Sequence, residues 1–162
     1  MGYNTITVKT NGYYMAEEAI ANAAITPGHL LDLMSTGKVR VHPTPGGNAD
    51  KIFAIEDDMQ GNGIDDAYAA DDRVFYRAYQ RGDEVYALLA NGEDVSIGDY
   101  LESAGDGTLQ KYVADISGSS GTSIYPNQIV GKAKEAVHVS DSSGDDSSAV
   151  VSPGARILVE IV

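Results

Sequence analysis

The stretch from Gly82 to Thr108, GDEVYALLANGEDVSIGDYLESAGDGT, confines this chain to short strands joined by tight turns. Turn signals fall at Arg81-Gly82-Asp83, Asn91-Gly92, Ile97-Gly98-Asp99 and Gly105-Asp106-Gly107, with apolar runs between them at Val85 to Leu89 and Tyr100-Leu101. Glycine takes the positive φ that such turns need, and Asn-Gly between apolar runs is the strongest short hairpin signal. No interval leaves room for a helix. The stretch predicts a rigid, turn-rich body and holds nothing arranged for chemistry.

The 162 residues suffice for one domain of ordinary size. Eighteen Gly and ten Tyr, with Val, Ile and Tyr gathered in short runs, favour β over helix. The absence of Cys removes disulfides, thiolate catalysis and Cys-based metal sites. A net charge of -13 with only eleven scattered Lys and Arg argues against nucleic acid and anionic membrane as partners, because phosphate neutralisation needs clustered cations. Such an acidic surface serves solubility, attraction to a basic protein, or a salty medium. No apolar run approaches the roughly 18 residues of a membrane span. The start MGYNTITVKT lacks the basic and apolar blocks of a signal peptide, and Ile6 stands where a myristoylation motif wants Ser or Thr. The chain is expected to be made and used as a soluble protein.

In chain order, Thr5 to Thr10 alternates as a strand and Asn11-Gly12 turns it. The Ala-rich stretch from Ala16 to Ala24 predicts at most a short, weak helix. Tyr3, Tyr13, Tyr14 and Met15 supply apolar surface with polar tips, a composition enriched at protein interfaces, although packing on the chain's own body accounts for them equally well. A second unit opens at Thr26-Pro27-Gly28. Strands follow at His29 to Met34, Lys38 to His42 and Lys51 to Ile55, with Pro43 and Pro45 stopping the pairing in between. Residues 56–72 carry seven carboxylates and no base, a loop with one helical turn expected around Asp65 to Ala70. From Arg73 to Tyr79 the alternation sets Val74, Tyr76 and Ala78 against Phe75, Arg77 and Tyr79. Later strands are Leu109 to Ala114, Gln128 to Val139 with a bulge expected at Gly131, and Ala155 to Val162 with Ile157, Val159 and Ile161 on one face. Between them lie a small-residue loop, Ile116 to Asn127, and a low-complexity insertion, Ser140 to Ser148. The expected fold class is therefore all-β with one or two short helical turns: a small β-barrel or β-tulip-like module of residues 26–162, preceded by an extended N-terminal arm of residues 1–25.

Candidate chemistry is thin. Asp58, Gln60, Asn62 and Gly63 loosely follow the start of an EF-hand loop, but Ala69 falls where the bidentate Glu belongs, so a solvated acidic loop is the better reading. Asp141, Asp145 and Asp146 form a weaker cluster. His29, His42 and His138 lie far apart in sequence, and a metal site would require the fold to bring them together. No nucleophile elbow and no phosphate-binding Gly-rich loop is present. Arg81-Gly82-Asp83 spells an adhesion tripeptide, yet Gly-Asp makes a turn there. No cofactor and no enzymatic activity are expected.

The order of the phrases ITPGHLLDL, IEDDMQGNGIDDAYAADDRVFYRAY, GDEVYALLANGEDVSIGDYLESAGDGTL, IVGKAKEAV and ARILVEIV resembles the phage and prophage capsid decoration, or head cement, proteins over about Thr26 to Val162. That resemblance implies a compact β module similar to the lambda head decoration protein. It further implies a non-catalytic homotrimer that binds the major capsid protein on the outer surface of an expanded virion head. In such a protein the N-terminal arm is the candidate for capsid contact, through Tyr3, Thr5, Ile6, Thr7, Val8, Tyr13 and Tyr14, its TITVKT strand adding to a sheet edge of the shell. The competing reading is a carbohydrate- or surface-binding β module, a fibre or spike component. The placement of the tyrosines separates the two: one exposed aromatic face favours a glycan, whereas core or seam positions favour the shell.

Overall fold

The computed structural model describes residues 2–12, 16–114, 126–138 and 155–162. Its architecture radiates from one strand, β7 (Glu84–Leu89), the apolar run of the turn-rich stretch. The strands before it are β1 (Thr7–Lys9), β2 (Glu17–Ile20), β3 (Leu31–Leu33), β4 (Val39–Val41), β5 (Ile52–Ala54) and β6 (Arg73–Ala78). Those after it are β8 (Asp94–Val95), β9 (Tyr100–Ser103), β10 (Leu109–Lys111), β11 (Gly131–Ala133), β12 (Val137–His138) and β13 (Ala155–Ile161).

Strand β13 lies antiparallel along all of β7, from Ala155↔Leu89 to Glu160↔Glu84. The other edge of β7 is shared. Strand β1 takes its first half through Thr7↔Val85 and Lys9↔Glu84, and β10 touches its end through the single parallel pair Leu109↔Leu89. Antiparallel ladders from β10 to β9, β9 to β11 and β11 to β13 complete a ring of pairings. The fold is all-β as expected. The ring is pinned at the β7–β10 seam by one pair only, so the wall there is not continuously laddered and no closed barrel forms. A second sheet, in the order β2-β6-β5, packs against the β3–β4 hairpin, and β8 pairs with β12 as a separate ribbon.

Two cores result. Inside the ring lie Ile6, Leu30, Phe53, Val85, Leu101 and Ile157, all wholly buried. Between the second sheet and the hairpin lie Ala21, Ile25, Leu31, Val39, Val74 and Tyr76. Strand period decides the division: on β6, Val74 and Tyr76 face the second core, while Phe75 packs on the first and Tyr79, just beyond the strand, is buried in it. On β13 the expected face of Ile157, Val159 and Ile161 is the one buried in the ring.

The Thr26-Pro27-Gly28 turn joins the two parts. The Arg156 guanidinium, with 5% of its side chain exposed, donates to Pro27 O at 2.9 Å, Ile64 O at 2.6 Å and Asp65 Oδ1 at 3.3 Å, and lies 5.8 Å from the Tyr86 ring centroid. Gly28 has φ +95, and a Cβ there would stand 2.5 Å from Arg156 Nη1, so both backbone and space demand glycine.

Several local expectations change. The Ala16 to Ala24 stretch contains strand β2 rather than a helix, because pairing Ala19 with Val74 and burying Ala21 outweighs the weak helical preference of so short a run. The helical turn of the acidic loop lies at Asp58–Gln60, capped by Asp57, while Tyr68 makes a bridge to Ile25 within the region expected to be helical. Asn91-Gly92 turns the chain but makes no hairpin: β7 is already occupied on both edges, and β8 pairs with β12. Gly131 marks no bulge. It pairs in register with both Ile161 and Leu101, and glycine is needed because a Cβ would stand 2.2 Å from Val159 Cγ1 and 2.8 Å from Glu160 O. The loop Ile116 to Asn127 lies outside the described residues as far as Tyr125, its last two residues opening the turn Pro126–Gln128, and the Ser140 to Ser148 insertion lies wholly outside them.

Overpacking of this kind costs about 1–3 kcal/mol. Gly131→Ala should therefore lower the thermal midpoint measured by circular dichroism by several degrees, whereas Gly37→Ala, where a Cβ meets nothing within 4 Å, suffers only the strain of its φ of +81. Equal shifts in the two variants would show that the β11–β13 approach is looser than described.

Candidate functional site

The N-terminal segment is built into the body. Ile6 is wholly buried in the ring, its N–H donates to Glu56 Oε2 at 3.1 Å, and its carbonyl accepts from Tyr86 N–H at 2.8 Å. Thr5 Oγ1 donates to the other Glu56 oxygen. Thr7 Oγ1 accepts from Arg77 Nη1 at 2.8 Å and bonds the Tyr79 hydroxyl at 2.7 Å. Val8 is half-buried in β1, and Tyr3 packs edge-on against Tyr86 with centroids 5.2 Å apart. Of the expected contact residues, Thr5 and Thr7 come together on one groove, Ile6 points into the core, Tyr3 lies on Tyr86, and Tyr13 and Tyr14 lie outside the described residues.

That groove, of about 310 Å³, runs between Thr5 and Thr7, the loop 55–59, and Phe75 and Arg77 of β6. Met59 stands at its edge, 91% exposed. Reading the sequence singled out neither Met59 nor Phe75. The available signal was an apolar side chain, Met59, inside a run of carboxylates. A polar hollow of about 500 Å³ lies elsewhere, lined by Asp32, Asn48, Asp50, Lys51 and Asn127. Its groups are partly spoken for, since Asp32 pairs with Arg40 at 2.8 Å and Asn48 O bonds His42 Nε2 at 2.9 Å.

The remaining candidates resolve into structural roles. Asp57 Oδ1 takes the Gln60 N–H at 3.3 Å, and the backbone carbonyl of Asp57 takes the Asn62 N–H at 3.0 Å, so the acidic loop is tied to itself. Among the described residues no group of three His, Asp or Glu is placed to hold a metal ion. Asp141, Asp145 and Asp146 lie outside the described residues. Asp83 of the Arg-Gly-Asp turn is buried, and its carboxylate takes the N–H groups of Asn11 at 2.8 Å and Gln80 at 2.9 Å. It closes the turn and is not offered to a receptor. The three histidines stay apart: His42 is buried on Ser103, His138 is exposed on Asp94, and His29 Nδ1 accepts the Thr26 N–H at 3.0 Å.

Seven tyrosines are described. Tyr68, Tyr76 and Tyr79 are buried, Tyr3, Tyr86 and Tyr112 half-buried, and Tyr100 exposed; Tyr125 lies outside the described residues. The Tyr68 hydroxyl donates to Ile55 O at 2.8 Å, and burial, reinforced by Asp57 and Glu56, pushes its phenol up to about 12. These rings serve the cores and their margins. Among the described residues they do not gather on one exposed face.

No protein-family model matches the chain, and no curated protein matches it. In fold the chain is similar to the N base of head fiber gp8.5 of bacteriophage phi29. The TM-score is 0.53 at 14% identity, over 93% of this chain and 95% of that one. The likeness is one of fold.

His29 gives the fold a pH dependence of defined sign. Desolvation, opposed by Asp106 and aided by Arg156, lowers its pKa from 6.5 to about 4. The unfolded chain then binds the extra proton first, so stability is lost as pH falls from about 6.5 to about 4. His29→Asn, whose carboxamide oxygen can take the Thr26 N–H, should flatten this part of the profile in urea unfolding at stepped pH. Profiles of equal slope would contradict it.

Proposed function

We propose that this chain is a non-catalytic structural protein of a bacteriophage head, seated on the outer capsid surface as a homotrimer and bound to the major capsid protein. The observation that carries the reading is the fold likeness to a phage head fiber base, which spans nearly the whole of both chains. The body agrees with it. Its turns are closed by buried side chains such as Asp83, and its described tyrosines serve the cores instead of forming a glycan platform. The order of sequence phrases that resembles the head decoration proteins points the same way.

Two finer versions follow. As cement, each subunit would bridge neighbouring shell proteins and stabilise the expanded head by binding that state alone. As a fibre base, it would seat on the shell and carry further protein outward, the version favoured by the likeness to the N base of the phi29 head fiber. In either version trimerisation multiplies weak contacts through effective concentration.

Cosedimentation with expanded and unexpanded heads, together with the mass of the free protein, tests the reading. Binding to expanded heads by a species of three chains is expected, and binding to neither form would overturn it. A rise in the temperature at which the heads disrupt separates cement from fibre base.

A further inference from the structure

The sheet β2-β6-β5 buries one face in the second core, while part of its other face is open beside the N-terminal segment. Here Phe75 and Ile55 form an apolar floor, and Met59, the most exposed of the large apolar side chains among the described residues at 91%, stands over it. A second hollow of about 430 Å³ shares Asp57 and Phe75 with the first and is also lined by Asp72 and Arg73. Their cations are engaged at close range: Arg77 donates to Thr7 and Arg73 pairs with Glu18 at 3.1 Å. At the rim Asp58 is an exposed carboxylate, while Glu56 is engaged by Thr5 and Ile6 and Asp57 is buried as the cap of the turn.

A thioether in water at the edge of a groove floored by Phe75 can adapt its shape to an incoming side chain. Charge selects what covers it. The chain carries -13 overall, which disfavours an anionic surface or a second copy of the same face and favours a cationic partner.

We propose that this groove docks an extended, positively charged polypeptide segment that inserts one apolar side chain between Met59 and Phe75 while a flanking Lys or Arg residue meets the exposed Asp58. This deepens the head-protein reading by naming one contact surface, and it rests on that reading only for the identity of the partner. The walls are preformed, since Glu56 fixes Thr5 and Ile6, and Arg77 fixes Thr7.

The test uses the full chain labelled with ¹³C at the methionine methyls and the peptide KLKLK, with KGKGK and ELELE as controls. The Met59 signal is assigned by its loss in Met59→Ser. KLKLK should shift that methyl saturably at low salt and bind about tenfold more tightly than KGKGK, a difference of about 1.4 kcal/mol. Met59→Ser and Asp58→Lys, both at exposed positions and so harmless to folding, should each weaken binding by about fivefold or more, near 1 kcal/mol. Raising salt from about 20 mM to about 300 mM should weaken it further. Equal binding of KGKGK, a Met59 methyl that does not move, or unchanged affinity in both variants would overturn the proposal. A chain that sediments with heads yet ignores KLKLK loses the groove and keeps the head role; one that binds KLKLK yet ignores heads does the reverse.

Discussion

The ladder between β7 and β13 is the interaction on which the rest depends. It joins the turn-rich middle of the chain to its C-terminal strand through pairs from Ala155↔Leu89 to Glu160↔Glu84, so it is a thoroughly non-local contact. It leaves the other edge of β7 to β1 and β10. It also places Arg156, opposite Leu88, where its guanidinium can hold the Pro27 carbonyl and the 64–65 loop. The inner faces of the two strands supply Val85, Ala87, Leu89, Ile157, Val159 and Ile161 to a single core. Burial of that kind, at about 25 cal/mol per Å² of apolar surface, outweighs anything the surface charges contribute.

Those charges nevertheless mark a solvated face. Glu84 lies between Lys9 at 3.7 Å and Lys134 at 3.8 Å, and Lys134 also meets Glu160 at 2.8 Å, a row of alternating sign crossing from β1 over β7 to β13. The pairing with Glu160 raises the Lys134 pKa, and the same contact lowers that of Glu160. Exposed pairs of this sort contribute little to stability. The side occupied by Thr5, Thr7, Met59 and Phe75 has a different character, a groove with Phe75 in its wall and the exposed Asp58 and Met59 at its edge.

Much of the body was legible. All four turn signals of the 82–108 stretch hold, with positive φ at Gly82, Gly92, Gly98, Gly105 and Gly107, because glycine at a tight turn is a local steric requirement. The alternation on β6 and β13 assigned faces correctly, since period-2 patterning records burial directly. What was not legible is non-local. Nothing in LANGEDV says that β7 is already paired on both edges, and nothing in IVGKAKE says that Val159 will press on Gly131. Likewise the Thr5 to Thr10 strand reads as a strand wherever it goes; that Ile6 fills the ring and Glu56 captures its N–H is a property of the assembled fold. The groove escaped for the same reason, since Met59 and Phe75 are brought to one wall only by the folding of the acidic loop.

The central claim is that the chain is a preformed body, N-terminal strand included, that meets its partner through the groove beside that strand. Amide hydrogen exchange of the chain free and bound to expanded heads tests it most directly. The account predicts that Ile6 to Lys9 are protected together with β7 and β13 in both states, and that the loop 55–59 gains protection only on the head. Fast exchange at Ile6 to Lys9 in the free chain, with protection appearing there on binding and none gained at 55–59, would contradict it.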